Sequence, residues 1–292
     1  MIELPFAKLQ AAGNGYVVID GRELALDWSV LARRITDSHF GVGSDGIAVV
    51  QRSQLAPVCM RIFNSDGSEA EMSGNGIRLF AKFVLDRGLA PLEGGALEVE
   101  TGGGLRRVFP TFEAGRVVAA RVEMDEPRFE LAALPADPAH AGGAQRLVDF
   151  ALDVGGRQVV FTGLSLGNPH AVILTEEEPA DFALAEVATA LQAHPLFPQR
   201  VNVEVARVVA RDRLRARVYE RGEGETLASG TGATACAVAA RLCDRTDARV
   251  EVELPGGVLL VAWSGPGASA WLTGPAVEVF DGVWREPLEV GS

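Results

Sequence analysis

Two stretches of the chain, R-I-F-N-S-D-G-S-E-A-E-M-S-G-N-G at residues 61–76 and R-V-Y-E-R-G-E-G-E-T-L-A-S-G-T-G at residues 217–232, align without a gap. They lie 156 residues apart, and both end in Ser-Gly-x-Gly. Each begins with a strand-like run, continues through a polar loop and ends where a helical pattern starts. This duplication predicts two similar halves that can face each other, with Ser73 and Ser229 addressing one ligand from opposite sides. Such an arrangement suits chemistry at a single tetrahedral carbon.

The composition is typical of a globular protein with room for two domains. The chain has 292 residues, a hydrophobic fraction of 48% and a formal net charge of −12. This charge argues against sequence-independent nucleic-acid binding, which depends on Lys and Arg. No secretory signal is visible, and no run approaches the roughly 20 apolar residues of a membrane span. We therefore expect a cytoplasmic protein without nucleic-acid or membrane partners.

The three cysteines, Cys59, Cys236 and Cys243, are an odd number and include no C-x-x-C pair. They indicate neither a disulfide framework nor a zinc site. We interpret all three as buried small hydrophobic residues.

Short strand-like runs dominate both halves, and one helical pattern follows each signature, at residues 74–87 and 230–243. Two further helices are predicted at residues 28–36 and 181–193. The predicted strands cover residues 17–20, 46–51, 58–64, 96–101, 117–125, 158–166, 170–174, 202–210, 214–220, 249–254, 258–263 and 268–273. This pattern predicts an α+β fold with two pseudo-symmetric domains, each a mixed or antiparallel sheet or barrel wrapped around a central helix.

A stretch rich in Pro, Ala and Gly, from Glu126 to about Arg146, is interpreted as a domain connection. We predict an N-terminal domain over residues 1–125 and a C-terminal domain over residues 126–275. The last segment, residues 276–292, is predicted to return to the first domain.

The Ser-Gly-x-Gly sequences are candidates for an anion site because the first turn of a helix presents unpaired N–H groups and the positive end of its dipole. Two such turns could hold a carboxylate and stabilise the negative charge that develops when the neighbouring C–H is deprotonated. For one isolated copy, serine as an N-cap is the simpler interpretation. Two copies at identical spacing from Glu69 and Glu225 favour a shared site.

Polar residues near these turns are candidates for ligand binding: Asn14, Asn64, Asn168, Asn202, Glu220 and Arg221. For each asparagine alone, an Asx-turn or a cap is the simpler explanation. His170 is interpreted as structural. The stretch G-V-G-S-D-G at residues 41–46 lacks the Lys and the glycine spacing of a nucleotide-binding loop, so we reject that function.

Five segments together resemble the diaminopimelate epimerase family over nearly the full length of the chain. They are F-A-K-L-Q-A-A-G-N-G-Y-V-V-I-D, R-I-F-N-S-D-G-S-E-A-E-M-S-G-N-G-I-R, S-L-G-N-P-H, F-P-Q-R-V-N-V and E-R-G-E-G-E-T-L-A-S-G-T-G-A. The resemblance implies two pseudo-symmetric domains that close over an amino acid, without pyridoxal phosphate, metal or any other cofactor. In that family a cysteine thiolate removes the α-proton on one face of the substrate, and a cysteine thiol returns a proton on the other face.

The resemblance also implies a substrate, diaminopimelate of lysine and peptidoglycan biosynthesis, and it allows a homodimer. It implies that the substrate is held by Asn14, Asn64, Asn168, Asn202, Glu220 and Arg221. Backbone contacts to the α-carboxylate would come from Gly74, Asn75, Gly230 and Thr231.

The sequence departs from the family at the two catalytic positions, where Ser73 and Ser229 replace the cysteines. The pKa of a cysteine thiol is near 8.5, and lower at a helix N-terminus, whereas the pKa of a serine hydroxyl is several units higher. Each pKa unit corresponds to about 1.4 kcal/mol in the free energy of deprotonation. Two-base racemisation should therefore be much slower unless another group activates the serines. Either the chain is a laboratory double variant or it is a natural divergent member. Gly46, where the family usually has glutamine, and Gly15, where it usually has aspartate, favour divergence.

Two other functions remain open from the sequence. One is an isomerase or dehydratase that acts on another small amino or hydroxy acid. The other is a non-catalytic amino-acid-binding homologue, since ligand-binding residues are retained while the acid/base pair is lost.

Overall fold

The computed structural model describes residues 2–286 and divides the chain into two compact units. Unit 1 contains Met1–Val122 and Gly274–Ser292, and unit 2 contains Glu123–Thr273. Residues 287–292, part of the segment predicted to return to the first domain, lie outside the described residues. Within residues 2–286 no helix is long and apolar enough to cross a membrane.

In unit 1 the sheet has the order β18–β1–β2–β3–β4–β6–β7–β8, with the short β5 paired to β4. The β2–β3 and β4–β6 pairs are parallel and the others antiparallel. The elements are β1 (Ile2–Ala11), β2 (Asn14–Asp20), α1 (Trp28–Ile35), β3 (Gly46–Gln51), β4 (Val58–Asn64), β5 (Glu69–Ala70), α2 (Gly74–Asp86), β6 (Leu97–Thr101), β7 (Gly104–Glu113), β8 (Arg116–Glu123) and β18 (Val277–Glu286). Strand β18 pairs with β1 from Ile2↔Glu286 to Gln10↔Val277.

Unit 2 repeats this order as β9–β10–β11–β12–β13–β15–β16–β17, with β14 paired to β13. Its parallel pairs, β11–β12 and β13–β15, are the counterparts of those in unit 1. The elements are β9 (Phe150–Val154), β10 (Arg157–Ser165), β11 (Pro169–Leu174), α3 (Leu184–Ala193), β12 (Asn202–Ala210), β13 (Arg213–Glu220), β14 (Gly224–Thr226), α4 (Gly230–Leu242), β15 (Arg249–Leu254), β16 (Gly257–Ala262) and β17 (Trp271–Pro275).

One helix lies at the centre of each unit. Every residue of α2 from Gly74 to Val84 is buried, and Ile77, Phe80 and Val84 pack against strand residues of the same cluster. Helix α4 is buried over most of its length, and its Ala, Cys and Val side chains are small enough for strands to approach closely. A helix that is buried on all sides needs such a surrounding sheet. The predicted α+β architecture, with a sheet wrapped around a central helix in each unit, is confirmed.

Several local predictions were incomplete or wrong. Strands β1, β5, β7, β9 and β14 were not predicted; β7 has one buried residue, Val108, and thus no alternating pattern. The segment from Glu126 to Arg146, interpreted as a domain connection, also contributes Leu134 and Ala141 to the core of unit 2. Helix α3 begins at Leu184, three residues later than predicted. The strand predicted at residues 268–273 is instead Trp271–Pro275.

Candidate functional site

The first half-site is built at the start of α2. Ser73 has an extended backbone (φ −139°, ψ 124°), and its Oγ accepts a hydrogen bond from the Gly76 N–H at 3.0 Å. The Tyr16 hydroxyl lies 3.5 Å from Ser73 Oγ. Ser73 is therefore the N-cap of a 13-residue helix. We call Asn14, Ser73, Gly74 and Asn75 the α2 half-site.

The two asparagines of the α2 half-site are hydrogen-bonded to each other. Asn75 Nδ2 donates to Asn14 Oδ1 at 3.2 Å. Asn14 Nδ2 donates in turn to Asp45 Oδ2 at 2.8 Å, and the same oxygen accepts the Gly15 N–H at 2.7 Å. The structure therefore brings two predicted ligand-binding residues together and adds Asp45, which we had not predicted.

A buried cation lies behind these asparagines. Arg78 is 0% exposed, and it donates to Gly74 O and to Asn75 Oδ1, both at 2.8 Å. Burial lowers the pKa of Arg78 to about 10. Its Nε has no hydrogen-bond partner within the part of the chain that the structure describes. Arg78 was not among the predicted site residues, although a charged residue beside the apolar positions of a predicted helix is a recognisable signal in the sequence.

Asn64 lies at the end of β4, and its side chain bonds within the β4–β5 hairpin rather than to Asn14 or Asn75. Its Nδ2 donates to Ser68 Oγ at 2.9 Å within the β4–β5 hairpin. Gly46 is the partner of Asn64 in the β3–β4 ladder. A Cβ atom at Gly46 would lie 2.6 Å from Phe63 O and 2.9 Å from the Tyr16 ring, so this position has no room for a side chain.

The second half-site is built at the start of α4. Ser229 has the same extended backbone (φ −127°, ψ 127°), and its Oγ accepts from the Gly232 N–H at 3.2 Å. Thr231 Oγ1 lies 3.4 Å from Ser229 Oγ, and Asn168 Nδ2 donates to Thr231 Oγ1 at 3.4 Å. We call Asn168, Asn202, Glu220, Arg221, Ser229, Gly230 and Thr231 the α4 half-site.

Glu220 is the acidic group of the α4 half-site. Burial raises its pKa, while hydrogen bonds that its carboxylate accepts from Thr226 and Ser229 oppose this rise. The distance from Thr226 Oγ1 to Glu220 Oε1 is 3.2 Å. Ser229 therefore has a carboxylate partner, and Ser73 has the Tyr16 phenol.

The remaining predicted residues of unit 2 are held in a polar network. Asn202 Oδ1 accepts the backbone N–H of Arg221 at 2.9 Å. His170 is fully buried and bonded through both ring nitrogens, with Nε2 2.9 Å from Asn168 Oδ1 and Nδ1 2.7 Å from Glu204 Oε1. Glu204 was not predicted, because a charged residue inside an apolar strand has no recognisable pattern when it is considered alone.

The cysteines lie outside both sets of residues. Cys236 is buried, as predicted, but Cys59 and Cys243 are only half-buried. Burial raises the pKa of all three thiols. None is therefore a ready source of thiolate near neutral pH.

The residues of both half-sites lie in regions that match a known family. The family model of diaminopimelate epimerase matches residues 6–130 and 162–279. The chain belongs to the diaminopimelate epimerase family. It is 44% identical to the diaminopimelate epimerase of Desulfovibrio desulfuricans over 284 residues, which cover 96% of this chain and 98% of the relative. The enzyme of Moorella thermoacetica is 43% identical over 279 residues, which cover 95% of this chain and 98% of the relative.

Solved structures support the fold at low sequence identity. A Bacillus anthracis phenazine biosynthesis protein of the PhzF family superimposes with a TM-score of 0.69 at 16% identity, covering 98% of this chain and 100% of that protein. A probable proline racemase from Agrobacterium radiobacter gives a TM-score of 0.68 at 15% identity, covering 98% and 93%. These likenesses confirm the epimerase-like fold.

Proposed function

We propose that this chain is a cofactor-independent amino-acid epimerase of lysine and peptidoglycan biosynthesis, which interconverts LL- and meso-diaminopimelate by moving the α-proton. Membership of the diaminopimelate epimerase family supports this proposal. Ser73 and Ser229 occupy the two acid/base positions. We also propose that units 1 and 2 are the two domains of this enzyme, as predicted from the duplicated signature.

The observation that carries the proposal is the matched geometry of Ser73 and Ser229. Each oxygen accepts an N–H from the glycine three residues further on, at 3.0 and 3.2 Å, at the start of a buried helix. A group held in this position lies in the positive field of the helix N-terminus, which stabilises its anionic form and the negative charge that develops on a nearby carboxylate.

The ligand-binding roles are assigned by the same reasoning. In the α2 half-site, Asn14 presents an amide, and Gly74 and Asn75 present the first N–H groups of α2. In the α4 half-site, Gly230 and Thr231 occupy the equivalent turn. Further amide, carboxylate and guanidinium groups for an amino acid come from Asn64, Asn168, Asn202, Glu220 and Arg221.

The serines make the proton transfer slow, because a hydroxyl is a far weaker acid than a thiol. Glu220 offsets part of this disadvantage at Ser229 by acting as a base, since its carboxylate accepts a hydrogen bond from that hydroxyl and can take its proton. Beside Ser73 Oγ lies the Tyr16 phenol, at 3.5 Å, in place of a carboxylate. A positioned general acid or base contributes about 10²–10⁴-fold to a rate, and we expect the chain to fall below its double-cysteine variant by a factor in that range.

The test is α-proton exchange in D₂O, followed by NMR, with LL- and meso-diaminopimelate. The unmodified chain is measured beside the Ser73→Cys/Ser229→Cys variant, with Ser73→Ala/Ser229→Ala as the matched control. We expect clear exchange by the double-cysteine variant, slow exchange by the unmodified chain and none by the alanine control. Equal rates for the unmodified chain and the alanine control would show that the serines do not transfer the proton.

Absence of exchange from the double-cysteine variant would overturn the proposal for diaminopimelate. The same panel then includes other small amino and hydroxy acids, since exchange or water loss with one of them identifies a different isomerase or a dehydratase. Calorimetric binding without any exchange identifies an amino-acid-binding homologue. The homodimer stays a prediction, and light scattering after size-exclusion chromatography tests it.

A further inference from the structure

A chain of hydrogen bonds crosses the α2 half-site and ends in a charged group on each side. Arg78 Nη2 lies 2.8 Å from Asn75 Oδ1, at the buried end. Asn75 Nδ2 lies 3.2 Å from Asn14 Oδ1. Asn14 Nδ2 lies 2.8 Å from Asp45 Oδ2, at the exposed end. This chain of hydrogen bonds therefore joins the cation Arg78 to the anion Asp45 through two neutral amides.

The end charges determine which way each amide faces. An asparagine side chain can turn over and exchange the positions of its oxygen and nitrogen. A guanidinium only donates, so Asn75 must present its oxygen to Arg78. The nitrogen of Asn75 then faces Asn14, which must accept with its own oxygen. Asn14 consequently presents its nitrogen to Asp45, whose ionised carboxylate only accepts.

The charge at the buried end is unusual. Arg78 is 0% exposed, and within residues 2–286 its guanidinium donates to two neutral oxygens, those of Gly74 and Asn75. A buried cation without a carboxylate partner is costly for folding. Its field adds to that of the α2 dipole and favours an anion at this end of the helix.

We propose that Arg78 and Asp45 are positioning residues, which together hold the Asn14 amide with its nitrogen outward as a donor to an acceptor on the substrate, such as a carboxylate oxygen. Asn14 is partly exposed, and its Nδ2 carries a second N–H besides the one given to Asp45. If Asn14 turned over, this donor would be replaced by a carbonyl oxygen that repels the carboxylate. The identity of the ligand in this inference rests on the proposed function. The order of donors and acceptors from Arg78 to Asp45 does not.

The test uses two variants of the unmodified chain, Asp45→Ala and Asp45→Asn. Asp45→Ala removes the acceptor at the exposed end, so the Asn14 nitrogen and the Gly15 N–H lose their shared partner. Asp45→Asn keeps an acceptor, because its amide oxygen can take the place of Oδ2 and accept from both groups. Asp212→Ala, the same chemical change at an exposed position of unit 2, is the matched control.

Two quantities are measured: the melting temperature, and the calorimetric Kd for LL-diaminopimelate. We expect Asp45→Ala to weaken binding about tenfold, as for loss of one hydrogen bond, and to lower the melting temperature. Asp45→Asn should keep both quantities close to those of the unmodified chain. An affinity unchanged in Asp45→Ala, or weakened equally in Asp45→Ala and Asp45→Asn, would overturn the positioning role.

A third measurement is independent of the ligand. The side-chain amide signals of Asn14 and Asn75 are recorded by ¹⁵N NMR in the unmodified chain and in Asp45→Ala. We expect the Asn75 signals to move with those of Asn14, because Asn14 lies between Asn75 and Asp45 in the hydrogen-bond chain. Unmoved Asn75 signals would overturn the inference. If the unmodified chain binds no diaminopimelate, the proposed ligand fails, and these signals alone decide on the hydrogen-bond chain.

Discussion

His170 Nδ1 lies 2.7 Å from Glu204 Oε1, and both side chains are fully buried. The other ring nitrogen lies 2.9 Å from Asn168 Oδ1, which accepts, so Nε2 carries a proton. Nδ1 and Glu204 therefore share one further proton. Burial raises the pKa of Glu204, and His170 opposes this rise. The bond to Glu204 holds the His170 ring in place, and His170 in turn positions Asn168 beside Thr231.

Glu204→Gln should be tolerated, because the amide can still form a hydrogen bond with His170 Nδ1. We expect a loss of less than about 1 kcal/mol at pH 7, against about 1–3 kcal/mol for Glu204→Met, which leaves His170 Nδ1 without a partner. Urea unfolding measures both. A larger loss for Glu204→Gln, on the scale of about 3–5 kcal/mol, would indicate an ionised pair instead.

The same substitution should change the pH dependence of stability. A carboxyl group whose pKa is raised on folding binds its proton more tightly in the folded state. Its contribution to stability is greatest below the unfolded value near 4.3 and falls as pH rises towards the folded pKa. We expect Glu204→Gln to flatten this fall above about pH 4.3. Thermal unfolding at a series of pH values measures the slope, and an unchanged slope would contradict the assignment. Burial also raises the pKa of Glu220, so Glu220 adds a decrease in stability with rising pH in the unmodified chain and in Glu204→Gln alike.

Ser73→Ala and Ser229→Ala should each destabilise the fold. Either change removes the acceptor of a helix N–H, and loss of an N-cap costs about 1 kcal/mol. Chemical denaturation gives the free energy of unfolding for each. Ser73→Thr and Ser229→Thr, which keep the hydroxyl, are the controls and should lose less. Equal losses for alanine and threonine would show that the capping bonds contribute little.

A thiol introduced by Ser229→Cys should respond to Glu220. The N-terminus of α4 lowers the pKa of a thiol at this position, whereas the neighbouring carboxylate raises it. Adding Glu220→Gln should therefore lower the pKa of that thiol by about one pH unit. Alkylation rates against pH, followed by mass spectrometry of the peptide, give the value. Cys59 serves as the internal reference and should not change.

Gly46→Ala should destabilise unit 1. The new Cβ would lie 2.6 Å from the carbonyl oxygen of Phe63, a backbone atom that can move only with strand β4. Such overpacking typically costs about 1–3 kcal/mol. Gly222→Ala, where a Cβ meets no heavy atom within 4 Å, is the control. If Gly46→Ala and Gly222→Ala had equal free energies of unfolding, strands β3 and β4 could move apart without loss of stability.

The β3–β4 contact also explains what the sequence could not predict about position 46. The resemblance identifies Gly46 as a departure from the family, but only the ladder partner and the Tyr16 ring show that a side chain is excluded. Likewise, Asp45 and Arg78 lie 33 residues apart in sequence, and no periodicity relates them. They belong to one hydrogen-bond chain because β2 and α2 bring Asn14 and Asn75 within reach.

The sequence alone determined the duplicated signatures, the two helix N-caps and the α+β class, because these depend on local spacing, capping chemistry and apolar periodicity. It also determined the family, through motifs in a fixed order. Only the tertiary structure decided which polar groups pair, which partners the buried side chains of Arg78 and Glu204 have, and that residues 126–146 contribute to a core. These outcomes depend on contacts between residues distant in sequence, where burial sets the free-energy cost of every unpaired charge and hydrogen-bonding group.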